Sequence, residues 1–287
     1  MRIISSTTVR TFATPVISPK AHGSTSRLSL ITPGELHAWM GADGDSCAVS
    51  ATSRPLLLEA WNGLSRPPAH IPGAVLVCME EIDVYDEVSP GQPARVSGNY
   101  SLKPPAALRA ALEAAGVTAA RPAVVYTQSF KAGAAEPIVA ARLAWALAYA
   151  GVEHVALLGG GMHAWREAGL ATAAVLAVRP QPPPDFFHGY SAVDPQCELP
   201  FPRNPHFLAL TPDVHTAIRA QSSDAGGHGA AAAGGAAVLA DVRSWREYVG
   251  EGHDYPFALP HGRIPTARWA QWGPSTYVGG DFFSPHT

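Results

Sequence analysis

Ala123-Val124-Val125-Tyr126 is a four-residue apolar run, and Thr127-Gln128-Ser129-Phe130-Lys131 follows it directly. The run is too short for a helix and is rich in β-branched valine, so it reads as a buried strand. From Pro137 to Ala150 the chain reads as a helix in which Ile138, Ala141, Leu143, Trp145, Leu147 and Tyr149 are apolar nearly all round. That pattern suits a helix laid against a sheet rather than a solvated one. A second apolar strand, Val155 to Leu158, leads into Gly159-Gly160-Gly161-Met162-His163-Ala164-Trp165 and a last helix from Met162 to Ala168. Upstream, Pro105 to Ala115 is a further helix. Strands alternating with helices predict an α/β fold, a parallel sheet flanked by helices on both faces. In such folds the ligand sits where a loop leaves the carboxyl end of a buried strand. Here that loop, Thr127 to Ala135, offers hydroxyls, an amide and one lysine, and it holds no cysteine.

The composition bounds what the chain does. Its 287 residues are enough for two domains, and 47% hydrophobic with 15% charged residues fits a globular core. A formal net charge of -3 gives no broad basic field for nucleic acid or an anionic membrane. No apolar stretch reaches the roughly 20 residues of a membrane-spanning helix. The 12 histidines show no HxxxH or HExxH spacing, so no metal and no cofactor is expected. The 3 cysteines make no disulfide framework and suggest a reducing compartment or an absence of structural disulfides. The first 27 residues carry Arg2, Arg10, Lys20 and Arg27 among many Ser and Thr, and the first acidic residue is Glu35. This suits either a transit peptide for a mitochondrion or plastid, or an unstructured basic extension of a cytoplasmic protein.

Two segments of the chain echo one another. Ile31-Thr32-Pro33-Gly34-Glu35-Leu36-His37-Ala38 matches Leu210-Thr211-Pro212-Asp213-Val214-His215-Thr216-Ala217. Both read as helix starts with Thr as N-cap and Pro at the first helical position, and Glu35 completes a capping box with Thr32. Each is followed by a strand-like run ending near an arginine, Cys47 to Arg54 and Ala237 to Arg243. Each then reaches a related turn, His70-Ile71-Pro72-Gly73-Ala74 and Arg263-Ile264-Pro265-Thr266-Ala267. Three matched landmarks in one order predict two homologous domains. The expected organisation is a basic N-terminus over 1–27, a complete domain over 28–178, a stiff Pro-rich linker over 179–205, and a second, incomplete copy over 206–287. Ala225 to Ala237 is a Gly/Ala tract, read as a loop insertion without chemistry.

These landmarks resemble the tandem-domain rhodanese sulfurtransferases. In the first domain the resemblance rests on His70 to Ala74, Val124-Val125-Tyr126, Ala140 to Trp145, and Leu157 to Trp165. In the second it rests on Asp241-Val242-Arg243-Ser244 with Glu247-Tyr248, and on Gly262 to Pro265. The resemblance implies transfer of a sulfane sulfur from a donor such as thiosulfate or a mercapto-acid to a thiophilic acceptor, through a persulfide on a loop cysteine. A small sulfur-containing anion or a thiol acceptor would be the partner. The resemblance places the thiol position at Thr127 or an immediate neighbour, and an alcohol there forms no persulfide. The resemblance further implies that the second domain supplies the cysteine, beyond Thr287, and that this chain is inactive by itself.

The remaining candidates each have a plain structural reading. Thr127, Gln128, Ser129, Lys131 and Gly133 form a candidate anion-binding loop, the basis of an alternative reading as a non-catalytic anion- or partner-binding module. Lys131 equally suits an exposed loop lysine, and Ser129 has no recognisable base to activate it. Asp241, Arg243 and Glu247 suit an interdomain contact or a strand-end ion pair. Cys47 and Cys78 read as buried structural cysteines, while Cys197 has no cradle of amides around it. Trp145 and Trp165 read as core anchors. Gly159 to Gly161 lacks the spacing of a nucleotide loop and reads as a tight strand-to-helix turn.

Overall fold

Valine-rich 123–126 lies in the middle of a five-stranded sheet. The computed structural model describes residues 26–41, 54–62, 68–84, 101–128, 136–190, 199–224, 238–252 and 261–270. In chain order the elements are β1 (Arg27–Ile31), α1 (Pro33–Gly41), β2 (Leu56–Trp61), β3 (Val75–Cys78), α2 (Met79–Ile82), β4 (Asp83–Val84), β5 (Ser101–Leu102) and α3 (Pro105–Ala114). There follow β6 (Ala123–Tyr126), α4 (Glu136–Ala150), β7 (His154–Leu158), α5 (Gly161–Glu167), α6 (Thr211–Asp224), β8 (Ala240–Asp241), α7 (Trp245–Val249) and β9 (Arg268–Trp269). The sheet runs β1-β7-β6-β2-β3, and every neighbouring pair is parallel. Two apolar layers cover it. Leu108 and Leu112 of α3 and Leu143 and Leu147 of α4 pack on one face, with Leu58, Val125 and Val155 of the strands. Leu36 of α1 and Met162 and Trp165 of α5 pack on the other, with Leu57, Val124 and Leu158. Within α4, Ile138 departs from the expected all-round burial and is exposed.

Local chemistry sets the element ends. Thr32 caps α1 as the sequence predicts: its hydroxyl accepts the Glu35 amide at 3.2 Å, and the Glu35 carboxylate accepts the Thr32 amide at 2.9 Å. The second copy of this motif behaves differently. There α6 begins at Thr211 itself, and the Asp213 carboxylate accepts the Leu210 amide at 2.8 Å, so the cap sits one residue earlier than expected. The turn from β7 to α5 depends on Gly160, whose φ of +68 is left-handed and whose added Cβ would fall 2.4 Å from the Ala164 Cβ.

The strand foreseen over Cys47 to Arg54 falls almost wholly outside the described residues, which omit 47–53; the described strand after it is Leu56–Trp61. Glu59 in the middle of this run breaks its apolar pattern and hides it. The Pro-rich stretch, expected as a stiff, extended linker, packs against the first domain where it is described. Arg179 pairs with the Glu81 carboxylate at 2.6 and 2.7 Å and donates to the Leu76 carbonyl. Phe186 is 0% exposed, its amide donating to Glu113, its carbonyl accepting from Ala119, its ring meeting Phe187 and Phe201 edge-on. Farther on, the Arg203 and Asn204 amides donate to the carbonyls of Ala150 and Tyr149, and the Asn204 side-chain amide donates to that of Ala148. These bonds satisfy the acceptors that the end of α4 leaves open. Prolines set the segment's stiffness, but its aromatic residues decide that it is buried.

The repeated turns share a geometry. Ala74 donates to the Ile71 carbonyl at 3.1 Å, and Ala267 donates to that of Ile264 at 3.1 Å. Both turns place Pro second and a left-handed residue third, Gly73 at φ +82 and Thr266 at φ +69. The parallel pairs on either side keep the same register, Glu59 opposite Leu76 and Asp241 opposite Trp269.

Phe186→Ala should lower the unfolding free energy by about 3–5 kcal/mol, read from urea denaturation; a free linker would lose nothing. Thr266→Gly should stabilise by about 1 kcal/mol, since a β-branched residue is strained in the left-handed region.

Candidate functional site

The chain places β3 on one side of β2 and then crosses to lay β6 on its other side. This reversal puts a topological switch point at the carboxyl ends of β2 and β6, the usual ligand position in an open α/β sheet. Glu59 of β2 stands opposite Tyr126 of β6 in the strand register, and its side chain is 0% exposed. A buried carboxylate is costly unless donors surround it. Here there are three. Its Oε2 accepts the Tyr126 hydroxyl at 2.5 Å and His70 Nδ1 at 2.8 Å, and its Oε1 accepts Gln128 Nε2 at 2.9 Å. His70 therefore carries its Nδ1 proton toward the carboxylate. The Tyr126 oxygen accepts the Ile71 amide at 3.1 Å, and Gln128 Nε2 also donates to the Ala69 carbonyl at 2.8 Å. The His70 backbone exchanges two hydrogen bonds with Ala173, beyond α5. Burial, reinforced by the charge of Glu59, pushes the Tyr126 phenol well above its ordinary range, so it stays a donor.

Of the residues expected in the loop, Thr127 and Gln128 follow β6 at this switch point, while Ser129, Lys131 and Gly133 lie outside the described residues. Thr127 is buried, and its carbonyl accepts the Met162 amide at 3.0 Å, tying the loop's start to the first turn of α5. Gln128, foreseen as an anion ligand, instead gives its amide nitrogen to Glu59 and Ala69. The sequence reading did not name Glu59 or His70 as site residues. The available signal was a lone acid inside an apolar strand run and a histidine beside the Ile-Pro turn.

The second group of candidates forms a local structural unit. Arg243 binds Asp241 through Nε at 3.0 Å and Nη2 at 2.7 Å, and Nη2 also donates to the Gly262 carbonyl at 2.7 Å. Hydrogen bonding from Arg243 holds the Asp241 carboxyl below its ordinary range. Glu247 closes a capping box with Ser244 at the start of α7. Cys78 is half-buried at the start of α2, not fully buried as expected, and burial together with the charges of Glu80 and Glu81 pushes its thiol up. It is a poor nucleophile. Cys47 and Cys197 lie outside the described residues. Among the described residues no cluster of three or more His, Cys, Asp or Glu is arranged to hold a metal, and no helix is long and apolar enough to cross a membrane.

Comparison with known proteins points one way. No protein-family model matches the chain. It is 26% identical over 220 residues to the thiosulfate sulfurtransferase YnjE of Escherichia coli strain K12, covering 76% of this chain and 40% of the relative. The crystal structure of YnjE shares its fold with a TM-score of 0.57 and 23% identity, over 85% of this chain and 48% of that one. The anaerobic ergothioneine biosynthesis enzyme of Chlorobium limicola, solved with trimethyl histidine, aligns with a TM-score of 0.59 and 26% identity, over 85% of this chain and 50% of the other. The chain thus spans half or less of the length of these relatives.

Because the folded-state value of Tyr126 is raised, its contribution to stability is complete below the unfolded tyrosine value of 10.0 and falls as pH climbs above it. The decline should reach about 1.4 kcal/mol per pH unit from this group. Tyr126→Phe should cost about 1–3 kcal/mol at neutral pH yet flatten the alkaline decline, measured by urea unfolding across pH.

Proposed function

We propose that this chain, which shares sequence and fold with the rhodanese-like sulfurtransferases, belongs to a protein that moves sulfane sulfur from thiosulfate or a related donor, and that its first domain supports this chemistry without carrying the sulfur. One observation carries the reading. At or beside the loop position where the family's chemistry requires a thiolate, the chain holds no cysteine but Thr127, a buried alcohol whose backbone is bound to α5. An alcohol has neither the accessible ionisation nor the soft nucleophilicity that a persulfide needs. Cys78 is a poor substitute, its thiol being pushed up by burial and by the charges of Glu80 and Glu81, and Cys47 and Cys197 lie outside the described residues.

The second half is read as a repeat of the first. The shared Ile-Pro turn and the shared strand register support that reading, since two unrelated segments have no reason to agree in both. The family's sulfur-bearing loop would follow the second domain's counterpart of β6. The region shared with this chain is 40% of the YnjE relative and 48% of its crystal structure. An anion-binding role for the first loop has less behind it, because the Gln128 side-chain amide is already committed to Glu59 and the Ala69 carbonyl.

Purified protein incubated with thiosulfate and cyanide should release no thiocyanate, and intact-mass measurement should find no persulfide adduct. Thiocyanate formation abolished by Cys47→Ser, Cys78→Ser or Cys197→Ser would overturn the assignment of a supporting role.

A further inference from the structure

The sheet ends in two edges, and the chain treats them differently. Beyond β3 the edge is closed by the segment after α5. There the Ala177 amide donates to the Ala74 carbonyl at 2.8 Å, and Arg179 Nη2 donates to that of Leu76 at 2.6 Å. Such guards keep a free edge from pairing with another chain. Beyond β1, at the other end of the sheet, no described residue pairs. The Arg27 amide donates to the Glu153 carbonyl and the Gly159 amide to the Ile31 carbonyl, both at 2.9 Å. Backbone groups alternate in direction along a strand, so Arg27, Ser29 and Ile31 bond to β7 while Leu28 and Leu30 turn theirs outward. The side chains of these two leucines lie in register with Val155 and Leu157, on the face that α4 covers farther in. Yet Leu28 is 55% exposed and Leu30 is 45% exposed. An unguarded strand with an apolar side is the kind of edge that proteins otherwise avoid.

We propose that β1 is an interface, pairing antiparallel with β1 of a second copy of this chain across a two-fold axis at Ser29, so that two sheets join into one. The strand is complementary to itself in that register. Leu28 faces Leu30 of the second copy, and Leu30 faces its Leu28, so each outward amide meets an outward carbonyl. The same pairing sets the exposed leucines side by side on one face, where their burial contributes further. Ser29 meets its own copy on the axis, a small side chain at the closest approach. A register shifted by one residue loses these bonds, because the opposing groups then face β7. Charge agrees as well. Arg27 is the strand's one charged residue, and this register keeps the two copies of it about 14 Å apart, beyond the screening length of about 8 Å at physiological salt. The interface is independent of sulfur transfer.

The full chain tests it by sedimentation and by disulfide trapping. Wild type should sediment with twice the mass of one chain at micromolar concentrations and dissociate on dilution. Opposed residues of a non-hydrogen-bonded antiparallel pair have Cα atoms about 4.5 Å apart, within disulfide reach. Ser29→Cys should therefore oxidise to a dimer whose peptide map joins residue 29 to residue 29. Leu28→Cys, displaced along the strand from its own copy, should be trapped about tenfold less. Leu30→Pro removes an outward N–H and spares the bonds to β7, a change that edge strands tolerate. It should weaken association by about tenfold or more while leaving far-UV circular dichroism unchanged. If the proline variant does not fold, Leu30→Lys blunts the apolar edge and serves in its place. A wild type that stays monomeric, its edge then left to a different partner, would overturn the proposal. So would a dimer that keeps full strength in the Leu30 variant, or trapping at residue 28 equal to that at 29.

Discussion

A carboxylate enclosed by a parallel sheet constrains everything around it. Glu59 lies where neighbouring positions are apolar, and it has no solvent to stabilise its charge. Its three donors come from three separate stretches: the strand beside it, the turn before β3, and the loop that follows β6. A charge left without partners at such depth is strongly destabilising, so each stretch has to arrive in a fixed relation to the others. Through the backbone of His70 the same constraint extends to the segment after α5. The start of the loop is therefore set by the inside of the sheet as much as by its own residues.

The fold was legible where one periodicity dominates. Val124 to Tyr126, Val155 to Leu158 and the helices between them are simple apolar patterns, and they fall within a residue or two of their places. The Thr32 cap was legible because its two partners lie three residues apart. What escaped the reading depends on contacts across long separations. β2 was not read as a strand because Glu59 looks like a surface residue until Tyr126, which is 67 residues away, is seen to bind it. Phe186 was lost among prolines because its partners Glu113 and Ala119 lie far upstream. Within the candidate site, Thr127 and Gln128 were found by their position after a strand, but the direction of the Gln128 amide depends on an acid that belongs to another strand.

The two halves show how little of a domain a turn specifies. They agree in the Ile-Pro turn, its left-handed third residue and the strand register. They differ in burial: Ile71 is 0% exposed and Ile264 is 48% exposed. The acid at the strand end also changes partner, from tyrosine, histidine and glutamine around Glu59 to arginine beside Asp241. Local geometry repeats from short-range sequence, whereas the chemistry at the strand end follows from whichever elements pack over it.

The way residues 199–208 finish α4 relocates the pivot of the chain. Arg203 and Asn204 are fastened to its last carbonyls, the Trp145 indole donates to the Phe207 carbonyl, and Phe201 and Leu208 pack on the first core. A tether anchored at both ends transmits force instead of absorbing it. The stretch of chain between this anchored segment and α6 is therefore only the two residues after Leu208, far shorter than proline content over 179–205 suggests.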